Sequence, residues 1–325
     1  MKAQTITIIG LDRMGASIGL ALKQSTLDLT IVGHDRDDKL SKAAIEIKAV
    51  DNVKRNLGRA AAAADILVLA VPVSELEETL QVVGEMVQDH TLVVDLSGLK
   101  GPGLAWAQRY MKQGHYVGGS LVLATSALLD GRPDTKLADP ALFKDSVFCL
   151  MPSVDLEPAA VDTAVNLGRL LGATPYFVDS AEFDNLVQGT ETLPGLMAAA
   201  LFGVVQKSTG WRDMLRFAGL PFALTTLPLT AASDVARLAL NDKEATLHWL
   251  NTLMEEMKQV RQWVYEDEEE LLTARLEALE QERYKWLLDR AKNHWVEDKG
   301  PDLEPASLTG HLFGGLANIR GKKRD

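Results

Sequence analysis

The 325-residue chain has one cysteine, Cys149, so no internal disulfide can brace it. Its six histidines form no Cys/His cluster at metal-ligand spacing, and no metal site is expected. Positive charge is in deficit: 34 Lys and Arg stand against 45 Asp and Glu, a net charge of -11. That excludes a general binder of nucleic acid or of anionic membrane, which would present a basic face. Long hydrophobic runs are missing too. The most apolar stretch, Leu193–Val205, contains Pro194 and falls short of the roughly 20 residues that a membrane helix requires. The first residues enter a strand pattern directly, without a basic segment, apolar run and cleavage site, so the expected address is cytoplasmic.

What is present is an alternation of short β-branched runs with helical stretches up to about residue 178. The runs are Thr5–Ile9, Leu29–Gly33, Ile66–Val71, Thr91–Leu96, Tyr116–Gly119, Val147–Met151 and Thr174–Val178. Near-continuous apolar strands separated by helices predict a doubly wound parallel sheet buried on both faces. Beyond Asp179 the strand pattern stops. Asn185–Gln206 reads as a helix, and Leu253, Met257, Val260 and Val264 recur at helical spacing. The acidic run Glu266–Glu270 reads as a solvated helix end. The expected organisation is therefore a Rossmann α/β domain over 1–178, an all-α domain over 179–296 and an extended tail over 297–325.

The first strand leads into Gly10, Leu11, Asp12, Arg13, Met14 and Gly15, followed by a helix. In the G-x-G-x-x-G turn the first glycine makes the bend and the third lets helix and strand pack closely. The second lets the backbone approach a pyrophosphate at the helix N-terminus. Here the second glycine is Asp12, a carboxylate where an anion is to be received. Asp35, twenty residues past Gly15, stands where an acidic residue takes the ribose hydroxyls of NAD. Arg36 follows and could instead take a 2′-phosphate, so NAD is favoured with NADP open. Val71 and Pro72, after the third long run, and Asp95, ending the next, fall at the cofactor edge of such a sheet.

These segments in this order resemble the prephenate/arogenate dehydrogenase family of tyrosine biosynthesis. The resemblance rests on Ile8–Leu11, Ala64–Val73, Val94–Lys100, Gly118–Gly119, Leu193–Pro194 and Trp211–Arg216, within residues 4 to 260. It implies oxidative decarboxylation of a cyclohexadienyl carboxylate, with hydride passing to a nicotinamide dinucleotide. It also implies a homodimer formed through the helical domain. The family's general-base histidine follows the paired glycines; this chain has Ser120 there. Thr192 replaces a second family histidine, and Gly98 a family serine. A serine has no proton-accepting state near neutral pH, unlike imidazole. Arg216 matches the family arginine that grips a substrate carboxylate, with an ion pair to Asp213 as the plainer reading. The candidate catalytic set is thus Ser120, Arg216 and Thr192, acting on a small carboxylate. Two alternatives remain open: a diverged member acting on another small carboxylate, and a dinucleotide-binding protein without catalysis.

Overall fold

The structure, a computed structural model, describes residues 4–128, 132–153 and 155–293; the expected tail over 297–325, with His311, and also His294 lie outside the described residues. The β-branched runs become β1 (Thr5–Ile9), β2 (Thr30–His34), β4 (Ile66–Leu69), β5 (Leu92–Asp95), β6 (His115–Leu121), β7 (Ser146–Pro152) and β8 (Ala173–Phe177), with a two-residue β3 (Asn52–Val53). They form one sheet in the order β3-β2-β1-β4-β5-β6-β7-β8. The order reverses between β1 and β4, and ligands bind doubly wound sheets at the carboxyl ends of strands flanking such a reversal.

Strand alternation sorts the apolar residues into two cores. Ile66 and Val68 of β4 and Leu92 and Val94 of β5 join the cluster containing Ile18, Leu22, Ala164 and Leu167. Those four belong to α1 (Arg13–Lys23) and α6 (Pro158–Leu170). Leu67 and Leu69 of β4 and Val93 of β5 join Ala60, Leu76, Leu80 and Ala107 on the other face. Those come from α3 (Leu57–Ala61), α4 (Val73–Val83) and α5 (Gly101–Tyr110). Helix starts follow local chemistry. Asp12 caps α1, Asp37 caps α2 (Asp38–Glu46), Asn56 caps α3 and Asp179 caps α7 (Ser180–Val187), each accepting backbone N–H bonds.

One expectation needs correction. The sheet is not wholly parallel, because β7 runs antiparallel to β6. A parallel return needs a crossover of a dozen or more residues, usually a helix. Between β6 and β7 the described residues hold only two short 3₁₀ turns, Thr125–Ala127 and Thr135–Leu137.

After β8 every described element is helical. The rod expected over Asn185–Gln206 is α7, a π turn over Gln188–Thr192, and α8 (Leu193–Gln206). Pro194, which has no N–H to donate, stands just past the π turn. There follow α9 (Trp211–Phe217), α10 (Leu220–Thr226), α11 (Ala232–Asn241), α12 (Lys243–Tyr265) and α13 (Glu269–Ala291). The acidic run spans the exposed turn joining α12 to α13 and the first residues of α13. Leu238 of α11 packs with Val73, Leu99 and Val187, which ties the helical part to the sheet's carboxyl edge. Among the described residues no helix is long and apolar enough to cross a membrane.

Phe148 of β7 is fully buried, and its ring lies 2.8 Å and 2.5 Å from where a Cβ on Gly119 and Gly168 would stand. Phe148→Ala should therefore cost about 3–5 kcal/mol of stability, measured as the shift of the urea unfolding midpoint at constant slope.

Candidate active site

The turn after β1 is shaped by its two glycines. Gly10 adopts a φ of 93°, and a Cβ on it would stand 2.2 Å from the Ala70 carbonyl oxygen at the end of β4. A Cβ on Gly15 would stand 1.9 Å from the Gly10 carbonyl oxygen. Only glycine fits either place.

The middle position behaves differently. Asp12 is the N-cap of α1, its Oδ1 accepting from Met14 N at 2.9 Å and Gly15 N at 3.2 Å. Burial pushes its carboxyl above the ordinary range, and the Asp35 carboxylate adds to this while the two amides oppose it. The partners of Asp12 Oδ1 are thus amides of its own turn. The Arg13 Nε donates to the Leu137 carbonyl and its backbone N–H to that of Pro133. The side chains of Leu11 and Met14 pack into the core, so any ligand contact from these two would come from the backbone.

Asp35 closes the turn from the end of β2. Its Oδ2 accepts from Leu11 N at 2.7 Å and its Oδ1 from Asp37 N at 2.8 Å. Each oxygen keeps a lone pair for a hydroxyl donor. Asp35 also lines a cleft of about 520 Å³ at the β1/β4 reversal, together with Gly10, Asp12, Arg36, Val71 and Pro72. Five carboxylates line it (Asp12, Asp35, Asp37, Glu75 and Glu78) against the one guanidinium of Arg36. Arg36 is paired with Glu75 at 2.5 Å. Glu75 was not singled out from sequence. Its signal was an acidic residue in the first turn of the helix that follows Val71 and Pro72.

Ser120, half-buried, lies on β6 in register with Cys149 of β7, beyond the end of β5. Cys149 is half-buried, because it alternates with the buried Phe148 and Leu150. Asp95 is fully buried at the end of β5; its Oδ1 accepts from Ser97 N and its Oδ2 from the Tyr116 hydroxyl at 2.7 Å. Lys100 is equally buried, donating to the carbonyls of Asp95 (3.0 Å) and Ser97. Burial lowers the Lys100 ammonium's pKa, opposed by the Asp95 and Asp184 carboxylates. Asp184 of α7 accepts from the N–H groups of Lys100 (2.7 Å) and Gly101 (2.8 Å), so it fixes the start of α5. Asp184 and Tyr116 escaped sequence reasoning because pairing across 84 and 21 residues leaves no local pattern. Both carboxylate oxygens of Asp95 thus bond within the fold.

Thr192 closes the π turn with its Oγ1 buried and without a partner among the described residues. Such turns occur often at functional sites. Gly98 lies under Leu238, 3.6 Å from where a Cβ would stand. Arg216 of α9 is 81% exposed and faces Asp213 at 3.6 Å, one turn away. The structure thus brings the cofactor candidates together at one sheet edge, while Arg216 sits in solvent in its plainer reading.

A buried hydroxyl without a partner carries its desolvation cost uncompensated. The isosteric Thr192→Val should therefore be at least as stable as the parent, read as an equal or higher urea midpoint; a loss beyond about 1 kcal/mol would mean that Oγ1 has a partner after all.

Residues 18–176 match the family model described as prephenate dehydrogenase, nucleotide-binding domain. The match begins just past the turn that carries Asp12. Prephenate dehydrogenase of Bacillus subtilis is 24% identical over 276 residues, covering 82% of this chain and 72% of that protein. The crystal structure of prephenate dehydrogenase from A. aeolicus, in complex with hydroxyphenyl propionate and NAD+, shares the fold with a TM-score of 0.74. Its identity is 17%, over 87% of this chain and 98% of that one. Synechocystis arogenate dehydrogenase follows at 0.65 and 19%, covering 87% and 100%. With its doubly wound sheet, its cleft at the β1/β4 reversal and its all-helical continuation, the chain is similar to the prephenate and arogenate dehydrogenases, and its residues 18–176 match that family's nucleotide-binding domain.

Proposed function

We propose that this protein is an NAD-dependent dehydrogenase of a small cyclohexadienyl carboxylate, prephenate or arogenate, on the route to tyrosine. The observation that carries the reading is Asp35, held at the end of β2 against the glycine turn with lone pairs turned to a cleft at the sheet reversal. That is the position from which a carboxylate takes ribose hydroxyls. NAD is favoured over NADP because Arg36 is engaged by Glu75 and the cleft is lined by carboxylates, which disfavour a further phosphate. The adenosine half of the cofactor fits these residues; the diphosphate meets Asp12.

A bound nicotinamide would supply the hydride acceptor. Residues 1–178 would hold it, and residues 179–296 would bring the substrate to the edge where β6 ends. There the Ser120 hydroxyl can orient a substrate hydroxyl but cannot store its proton near neutral pH. The buried Thr192 hydroxyl offers a second hydrogen bond. Arg216, in solvent, reaches a carboxylate only from another position of α9. The protein would act as a cytoplasmic homodimer through the helical domain. Apolar residues left exposed there, among them Leu201, Val204, Phe217, Leu220, Leu247 and Met257, support that association.

Ser120 also favours a second reading, a family member turned to another small carboxylate or retaining only nucleotide binding. Assays with NAD+ and prephenate or arogenate, following reduced nicotinamide, separate these readings. Under the main reading the parent turns over slowly and Ser120→His gains roughly 10²–10⁴ in rate. No gain despite measurable prephenate binding would select another substrate, and nucleotide binding without any turnover the non-catalytic form. For the dimer, sedimentation should give twice the chain mass, and Met257→Glu should shift it to the monomer; a monomeric parent would end that proposal.

A further inference from the structure

A diphosphate at a strand-turn-helix is received by backbone N–H groups of the turn and the first helical turn. Here five of those groups are already directed at protein acceptors. Gly10 N donates to the His34 carbonyl at 2.9 Å and Leu11 N to Asp35 at 2.7 Å. Arg13 N donates to the Pro133 carbonyl at 3.2 Å. Met14 N and Gly15 N both donate to one oxygen of Asp12. That oxygen stands where an anion's oxygen would stand, carrying the same charge.

The backbone around it is braced. Thr135 Oγ1 donates to the Leu11 carbonyl at 2.8 Å, Arg13 Nε to that of Leu137 at 3.1 Å, and Asp139 N to Ser17 Oγ at 3.0 Å. The segment from Pro133 to Asp139 thus clasps the turn and the start of α1. The part able to give way is the Asp12 side chain, which turns about its own Cα–Cβ bond.

Resting on the dinucleotide reading of the cleft, we propose that Asp12 is an internal competitor for the cofactor's diphosphate and so sets how tightly the cleft holds a dinucleotide. The diphosphate can take the Met14 and Gly15 amides only if the Asp12 carboxylate leaves them, gains a proton, or does both. The charged groups around it do little to relieve the repulsion. From the β2 side come Asp35, Asp37 and Arg36, the last held by Glu75. From α4 come Glu75 and Glu78, while Arg13, next in the chain, sends its Nε to the Leu137 carbonyl. His34 lines the same cleft. Burial already disfavours the charged form of Asp12. A second anion beside it favours protonation further, so binding takes up a proton and tightens as pH falls, approaching about tenfold per pH unit above the free carboxyl's titration. A ligand without phosphate escapes the competition.

The experiment is calorimetric titration of the full chain with NADH and, separately, with adenosine, at about pH 6 and about pH 8. It compares the parent with Asp12→Asn, which keeps a capping oxygen without charge, and Asp12→Gly, which removes both. Thermal unfolding establishes that each variant is folded. NADH should bind both variants roughly tenfold to a hundredfold more tightly than the parent at the higher pH. The parent's pH dependence should flatten in both, while adenosine binds all three alike. Equal NADH affinity in parent and variants at both pH values would overturn the proposal and leave the dinucleotide reading standing. An equal gain for adenosine would also overturn it, since the effect would not lie at the diphosphate. If no folded variant bound NADH at either pH, the proposal and the dinucleotide reading would fall together.

Discussion

Two carboxylates hold the turn between β1 and α1, and the functional reading depends on how they do so. Asp35 takes the Leu11 N–H and Asp12 those of Met14 and Gly15. A backbone N–H left without an acceptor is costly when buried, so a turn that normally meets a ligand must be satisfied in the ligand's absence. Water does this in an open cleft; here side chains do. The glycines keep β1, β4 and α1 close enough for the turn to form, and the clasp from Pro133 to Asp139 keeps it in place.

The parts of the site differ in their polar groups. At the end of β2 an acidic residue, Asp35, stands beside a cleft at the sheet reversal. The glycine turn carries a carboxylate, Asp12, bonded to its own amides, β6 carries the hydroxyl of Ser120, and Thr192 holds a buried hydroxyl without a partner among the described residues. The sheet depends on none of these. Asp95, Tyr116, Lys100 and Asp184 form a buried set of bonds that positions the start of α5 independently of any ligand. A framework so maintained does not depend on which side chains occupy its edge.

Much of this was legible from residues alone because it is local. Seven strands followed from β-branched runs, since a strand buried on both faces needs continuous apolar residues. The glycine turn and Asp35 followed from spacing along one βαβ unit. The direction of β7 did not, because it depends on the return path from β6 and not on β7's own residues. The two-residue β3 is too short to leave a periodic signal. Thr192 could be placed in a helix but not in a π turn. Arg216 shows the same limit: its helix was marked by the motif, its exposure decided by packing.

By itself, then, the sequence determined element type, the order of the segments and the presence of a carboxylate at the middle of the glycine turn, since each is a property of neighbouring residues. That carboxylate's bonds are those of a local N-cap, to amides two and three residues on, whereas tertiary structure alone decided the clasp that braces the turn from the segment Pro133–Asp139. It likewise decided that Lys100, Asp95 and Asp184 share one buried site and that Arg216 stays outside the cleft. Such pairings are chosen by the geometry of the packed chain, in which burial makes an unsatisfied N–H or an unpaired charge costly enough to select among partners far apart in sequence.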